Sequence, residues 1–244
     1  MNKPSSAPNL GNSIADYSTS VAKIVLGAAP FVGPLLSEFA GTIIPNQRLD
    51  RIAKYCDCLE ERLRATEREV FKQRVLEEDF SELLEEVIRQ AAKAVTDERR
   101  NYLSSLVSCS LSKTHLEIVE VRHLLRILSE LNDVEIIWLR FYSVQIVDGD
   151  HEFRRKHSEL LEDKFPYNRR DREKNALQKS YKEHLAILGL LRRRFSSSVA
   201  EGYATGSEDS EPEASSYEIT TLGKLLLKHI DLLPPISEAD EWRR

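Results

Sequence analysis

Cysteine is the residue type in this chain with the clearest potential for metal chemistry, and its spacing does not support a metal site. Cys56 and Cys58 form a Cys-x-Cys pair, and Cys109 is the third cysteine. A structural zinc site needs four Cys or His ligands, and no second pair accompanies this one. Residues two apart on a helix diverge by about 200° around its axis. We therefore expect the two thiols to face apart, with Cys56 in the core.

A second candidate for chemistry is Asp150 followed by Glu162-Asp163-Lys164. This order is typical of metal-dependent nucleases, in which two carboxylates bind Mg²⁺ and the lysine stabilises the attacked phosphate. Those residues belong on strands, whereas the segment from His151 to Phe165 has the composition of a charged helix. The sequence also lacks a phosphate-binding Gly-x-x-x-x-Gly-Lys loop and a Gly-x-Ser-x-Gly nucleophile elbow. We therefore predict a non-enzymatic protein without a cofactor.

The composition indicates a mainly α protein. The 244 residues are 41% hydrophobic and 31% charged, with only 9 Gly and 9 Pro, which favours helices over strands. The formal net charge of −5 argues against a strongly basic nucleic-acid-binding protein. Because an odd number of cysteines is typical of a reducing compartment, we expect a cytoplasmic location.

An apolar segment, residues 21–44, follows a predicted flexible tail over residues 1–12. Only 14 residues separate Lys23 from Glu38, fewer than the roughly 20 that span a bilayer. The main interpretation is two short helices joined by a buried turn, and the alternative is a hairpin that enters a membrane on activation. Four residues of the segment are candidates for an interaction surface: Phe31, Val32, Leu35 and Leu36.

The sequence predicts one long helix from about residue 46 to residue 70, with a heptad seam. Apolar residues recur three and four apart, as in coiled coils and helical hairpins. The seam residues with a predicted interaction role are Leu49, Ile52, Leu59, Leu63 and Val70. Their partner helix belongs either to the same chain or to another one. Together with the neighbouring helices, this region predicts a helical bundle over residues 13–113.

The second half predicts a helical domain over residues 114–232 that ends in a winged-helix-like unit. Thr114 and Glu117 form a capping box, Asn132-Asp133 caps the next helix, and Thr221 caps the last one. Gly189 follows a helix over about 169–188, and two short strands are predicted within 190–197 and 217–220. The composition of residues 198–216 predicts an acidic flexible loop, and that of residues 233–244 predicts a polar tail.

Basic residues near the predicted wing are candidates for nucleic-acid contact: Arg169, Arg170, Arg192, Arg193 and Arg194. Lys and Arg bind backbone phosphates. The adjoining stretch 201–216, however, contains five acidic and no basic residues, which would be repelled by DNA. A solvated charged surface is the main interpretation, and DNA binding is the alternative.

Three stretches of the second half together resemble the abortive-infection alpha family of bacterial proteins. The first is the helix over residues 97–112, and the second is HLLRILSELNDVEII at 123–137. The third pairs HLAILGLL at 184–191 with ITTLGKLL at 219–226. The resemblance implies helical bundles and a link to phage defence, without an assigned set of catalytic residues.

These features predict a non-enzymatic helical interaction protein of bacterial phage defence. It would act as a homo-oligomer or with a protein partner, through the heptad seam and the apolar segment. A winged-helix DNA-binding regulator is the second hypothesis. The third is a membrane-active effector that uses residues 21–44.

Overall fold

The computed structural model of the chain describes residues 29, 31–33, 48–144, 150–161, 168–195 and 216–234. These ranges contain ten helices and a two-stranded antiparallel sheet near the C-terminus, which confirms the predicted mainly α class with a small β-wing. The predicted tail at residues 1–12 lies outside the described residues, as do nearly all of the predicted 198–216 loop and 233–244 tail. The chain divides into two compact units, Met1–Arg126 and Ile127–Arg244.

The helices and strands of both units can be given in chain order. Those that begin in the first unit are α1 (Leu49–Arg62), α2 (Ala65–Arg74), α3 (Glu78–Ala91), α4 (Asp97–Ser110) and α5 (His115–Glu130), the last of which continues into the second unit. The second unit contains α6 (Asp133–Ser143), α7 (His151–Lys156), α8 (Ser158–Leu161), α9 (Arg169–Ile187), β1 (Leu191–Arg194), β2 (Ser216–Ile219) and α10 (Thr221–His229).

The core of the first unit lies where α1, α3 and α4 pack against one another. Six apolar side chains of α3 are buried, at the three- and four-residue spacing of a single helix face. They are Phe80, Leu83, Leu84, Val87, Ile88 and Ala91. From α1, Tyr55 and the predicted core residue Cys56 are fully buried. This core is therefore an ordinary packed interior of aliphatic and aromatic side chains.

The predicted continuous heptad helix is wrong, because the helix ends at Arg62 and a second one begins at Ala65. Leu63 has extended backbone angles (φ −76°, ψ 117°), and its side chain is buried. The Arg64 N–H donates to Glu67 Oε2 at 2.7 Å, which starts α2 afresh. The interruption also changes the helix phase, so that Phe71 is fully buried whereas Val70 is 40% exposed.

Short polar caps begin several helices where the sequence predicts them. Glu117 Oε2 accepts hydrogen bonds from the Thr114 N–H and hydroxyl, both at 2.8 Å. Asn132 Oδ1 accepts from the Glu135 N–H at 2.9 Å, and Glu135 Oε2 accepts from the Asn132 N–H at 2.8 Å. The predicted capping box at Thr114 and the predicted cap at Asn132 are both confirmed, and the second also proves to be a capping box. The cap of α10 is Thr220 rather than Thr221, since the Thr220 hydroxyl oxygen accepts from the Gly223 N–H at 3.1 Å.

The second unit is organised around α6, which packs against α9, β2 and α10. The chain leaves α9 through Gly189, whose φ of +73° suits glycine and confirms the predicted helix end. β1 and β2 then pair antiparallel, with Leu191 opposite Ile219 and Arg193 opposite Tyr217. Next, α10 approaches the residue before β1 so closely that a Cβ atom on Gly223 would lie 2.5 Å from the Leu190 carbonyl oxygen.

Candidate interaction surfaces

Most of the described residues predicted to form an apolar interaction surface lie inside the first unit. The buried ones are Val32, Ile52, Leu59 and Leu63. Phe31 is half-buried, and Val70 is 40% exposed. Leu35, Leu36 and the side chain of Leu49 lie outside the described residues. The described part of the heptad seam is therefore filled by the chain's own core, and its buried side chains are inaccessible to a partner while that core is intact.

The described part of the apolar segment is held by a carboxylate of α1. The N–H groups of Phe31 and Val32 donate to Glu60 Oε2 at 3.0 and 3.1 Å, as at a capped helix start. The Phe31 ring lies 6.4 Å from the Phe71 ring, between centroids. Insertion into lipid would break these contacts. No helix in the described ranges is both long enough and apolar enough to cross a bilayer.

Three exposed aliphatic side chains of the first unit lie on two segments that hydrogen bonds join, the turn between α2 and α3 and the first turns of α5. Leu76, in the turn between α2 and α3, is 87% exposed. Leu116 and Val119, one turn apart on α5, are 77% and 54% exposed. We call these three side chains the apolar corner. Large aliphatic side chains exposed close together are typical of interaction sites, whereas single ones are common everywhere.

Two polar contacts join the parts of the apolar corner. Arg74 Nη2 donates to the Lys113 carbonyl oxygen at 3.0 Å, just before α5. His115 Nδ1 lies 2.9 Å from Asp79 Oδ2 at the start of α3. Although desolvation raises the pKa of Asp79, the hydrogen bonds from His115 and from the Phe80 N–H outweigh it and lower this pKa. The turn that carries Leu76 is thus fixed beside the first turn of α5.

The signal that could have identified the apolar corner is a second apolar stripe on α5. Leu116 and Val119 lie outside the packed face of α5, which is formed by Ile118, Val121, Leu124, Leu125 and Leu128. When a helix carries more apolar residues than one face can bury, the remaining ones stay exposed and can contact a partner. His123, on the stripe of Leu116 and Val119, is exposed as well.

The candidate nuclease residues lie only partly within the part of the chain that the structure describes. Asp150 Oδ2 lies 2.7 Å from Arg140 Nη2 in an ion pair, and Glu162-Asp163-Lys164 fall outside the described residues. Among the described residues, no group of three or more His, Cys, Asp or Glu side chains could hold a metal ion. Cys58 Sγ instead donates to Asn101 Oδ1 at 2.9 Å.

The predicted nucleic-acid contacts are all exposed in the second unit. Arg192 Nη2 and Arg194 Nη2 approach the same atom, Glu218 Oε2, at 2.8 and 2.5 Å. Hydrogen bonds from these two guanidinium groups lower the pKa of Glu218. Arg193 forms an ion pair with Glu183. On α9, Arg169 Nε donates to Glu173 Oε1 at 2.8 Å, and Arg170 lies next to it.

No family model, curated protein or solved structure matches the chain.

The described geometry therefore provides two surfaces of different chemistry, one in each unit. The apolar corner suits burial against a protein, because its aliphatic side chains gain free energy when they leave water. The arginines around β1 suit an anion, because two guanidinium groups share a single carboxylate there.

Proposed function

We propose that this chain is a non-enzymatic helical interaction protein that self-associates through the apolar corner of its first unit. The observation in support is the exposure of Leu76, Leu116 and Val119 in a unit whose other large apolar side chains are mostly buried. Covering them in a homo-oligomer would remove their aliphatic surface from water, at roughly 25 cal/mol per Å². Closed symmetric homo-oligomers are the commonest way in which a chain covers such a surface.

The resemblance to the abortive-infection alpha family supports a biological role for this oligomer, and we propose that it acts in bacterial phage defence. Three free cysteines, of which Cys109 is exposed, fit the reducing environment of the cytoplasm. As part of the same proposal, α9, β1, β2 and α10 form a winged-helix-like unit. The order helix, strand, strand, helix and the antiparallel pairing of the strands support that description.

Sedimentation velocity over a wide concentration range tests the self-association. We expect the wild-type chain to form a defined oligomer, and Leu116→Glu to weaken it about tenfold or more, because a carboxylate would then be desolvated at the interface. Leu177→Glu is the matched control, since Leu177 is a 55% exposed leucine on α9. Circular dichroism checks that both variants keep their helices.

A monomeric wild-type chain at every concentration would contradict the proposal, as would equal oligomers in wild type and Leu116→Glu. The defence role is tested by the plating efficiency of phages on bacteria that express the chain. We expect reduced plating with wild type and with Leu177→Glu, and normal plating with Leu116→Glu.

A further inference from the structure

Positive charge in the second unit is concentrated in one continuous stretch. Residues 168–195 contain nine Lys or Arg and three Asp or Glu. The other described residues of this unit contain six Lys or Arg and eight Asp or Glu. The basic residues of the stretch are Arg169, Arg170, Arg172, Lys174, Lys179, Lys182, Arg192, Arg193 and Arg194. They belong to α9 and β1, which are in contact with each other.

α9 is unusually exposed for a helix of 19 residues. Only two of its side chains are buried, Gln178 and Leu185, and they lie on the same side. The Gln178 amide Nε2 donates to the Leu160 carbonyl oxygen of α8 at 2.7 Å, which attaches this side to the rest of the unit. The opposite side of α9 is therefore available to a partner from Arg169 to Ser180, whereas Glu183, farther along the same side, contacts Tyr217 and Arg193 of the sheet.

The outward side of α9 has the composition of a surface that approaches a polyanion. Arg169, Arg172 and Lys179 are exposed and lie within about 80° of one another around the axis at 100° per residue. Ala176 falls within this arc and Ser180 lies about 20° beyond Arg169; both are exposed. These small side chains permit the helix to approach a polyanion closely, while the long basic side chains extend from either end of the arc.

The two-stranded sheet presents two more cations and is fixed to the end of α9. Arg192 and Arg194 lie on the same face of β1, because side chains two apart in a strand point the same way. Glu218 supplies one negative charge for these two positive charges. On the other face, Tyr217 donates a hydrogen bond to Glu183 of α9, and Arg193 pairs with the same carboxylate.

We propose that this basic face, defined by Arg169, Arg172, Lys179, Arg192 and Arg194, binds the phosphate backbone of duplex DNA. The major groove is about 12 Å wide and admits an α-helix, and the adjoining sheet would place its two arginines at neighbouring phosphates. A helix that lies on a membrane needs a broad apolar side, whereas the outward side of α9 carries Ala176 and Ser180 and one large apolar side chain, Ile187, which is 73% exposed. The proposal does not depend on self-association through the apolar corner.

Fluorescence anisotropy of a labelled duplex with the full-length chain tests this proposal across a series of NaCl concentrations. We expect binding at about 50 mM NaCl that weakens linearly on a log–log plot, with a slope of roughly −0.9 for each phosphate contact. The double variant Arg172→Ala, Lys179→Ala should reduce the magnitude of this slope by about 1.8. Arg192→Ala, Arg194→Ala should have a similar effect.

The matched control is Lys224→Ala, Lys228→Ala, which removes two exposed lysines of α10 in the same unit and should leave the slope unchanged. Glu218→Gln should tighten binding by about threefold at low salt, because it removes the carboxylate with which a phosphate competes. Vesicles of anionic phospholipid, with and without competing duplex, form the second arm.

Three outcomes would overturn the proposal. The first is no salt-dependent binding to duplex DNA at about 50 mM NaCl. The second is an equal loss of binding in the α9 variant and the α10 control. The third is binding to anionic vesicles without binding to DNA, which would assign the basic face to a membrane surface instead.

Discussion

The three cysteine thiols lie in three different environments, each set by the helix position of the residue. Cys56 is buried in the core of the first unit, and burial, together with the charges of Asp57 and Glu60, raises the pKa of its thiol to about 12. Cys58, on the other side of α1, contacts Asn101 and Ser104 of α4. Cys109 is exposed on α4. Reactivity of a thiol requires both the thiolate form and access.

A thiol-labelling experiment should therefore separate the cysteines. We expect a water-soluble maleimide at neutral pH to modify Cys109 in the folded chain and to leave Cys56 unmodified until the chain unfolds. Cys109→Ser should abolish the fast phase, and Cys56→Ala should remove only the phase that appears in denaturant. Peptide mass spectrometry identifies the modified residue. Rapid modification of Cys56 in the native chain would contradict its placement in the core.

Glu117 gives a prediction that depends on pH. Hydrogen bonds from the Thr114 N–H, the Thr114 hydroxyl and Lys113 lower the pKa of this carboxyl to about 2. Because the folded value lies below the unfolded value of about 4.3, the carboxylate favours the folded state above that pH. This contribution is lost as the pH falls through about 2.

NMR titration of the Glu117 carboxyl carbon tests this prediction. We expect Thr114→Val to raise the pKa of Glu117 part of the way towards its unfolded value, because one of the donors is removed and the N–H remains. Thr96→Val, which alters the cap of α4, serves as the control and should not change the titration of Glu117. An unaltered curve in Thr114→Val would show that the capping box does not hold this carboxylate.

At the scale of the elements, α5 shows how far the sequence determines the structure. Its start is encoded locally, because Thr114 and Glu117 satisfy the first N–H groups without help from the rest of the chain. The packed face of α5 is not encoded locally, because the helix carries two apolar stripes. Only tertiary packing determines that Ile118, Val121 and Leu125 are buried while Leu116 and Val119 are exposed. The apolar corner therefore could not be predicted from periodicity alone. The break at Leu63 went unpredicted for a related reason, since apolar spacing continues across it.

The close contact of α10 with Leu190 and Ile219 leads to a prediction about stability. A Cβ atom at Gly223 would lie 2.5 Å from the Leu190 carbonyl oxygen and 2.8 Å from Ile219 Cγ1. The Leu190 oxygen also accepts the Thr220 N–H at 3.0 Å, so the backbone there has little freedom to shift. We expect Gly223→Ala to lower the free energy of unfolding by about 1–3 kcal/mol, which is the usual effect of overpacking.

Urea denaturation followed by circular dichroism measures this change in stability. The control is Lys224→Ala, on the exposed side of the same helix, and its effect should stay within about 0.5 kcal/mol. Hydrogen exchange should assign the loss in Gly223→Ala to β1, β2 and α10. Equal stability of Gly223→Ala and wild type would mean that α10 is not packed as closely as the structure places it.

For the whole molecule, the distribution of charge is more informative than the formal net charge of −5. The helical class followed from composition, because that signal is summed over many residues. The net charge, in contrast, argued against a polyanion partner while residues 168–195 hold an excess of six positive charges. Sequence counting assigns the same weight to every charge, but a bound polyanion interacts mainly with charges within about one Debye length, roughly 10 Å at 0.1 M salt.

This reasoning gives a prediction for the acidic stretch that separates β1 from β2 in the sequence. Changing its five carboxylates to amides brings the formal net charge from −5 to 0; they are Glu201, Glu208, Asp209, Glu211 and Glu213. We expect the association rate constant with duplex DNA, measured by stopped-flow fluorescence, to rise several-fold at low salt, because long-range repulsion is reduced. The difference should vanish near 1 M salt, where the Debye length is about 3 Å.

A second five-fold variant with the same change of net charge separates the position of these carboxylates from their number. It carries amides at exposed carboxylates of the first unit, namely Asp50, Glu61, Glu78, Glu98 and Glu120. We expect a smaller rise in the association rate constant from this variant. The acidic stretch connects the two strands of the basic sheet along the chain, whereas the five carboxylates of the first unit are not next to that sheet in the sequence. If both variants gave the same rise, net charge alone would govern the encounter with DNA. If neither gave a rise, the encounter would not be electrostatic, and the basic face would have no part in it.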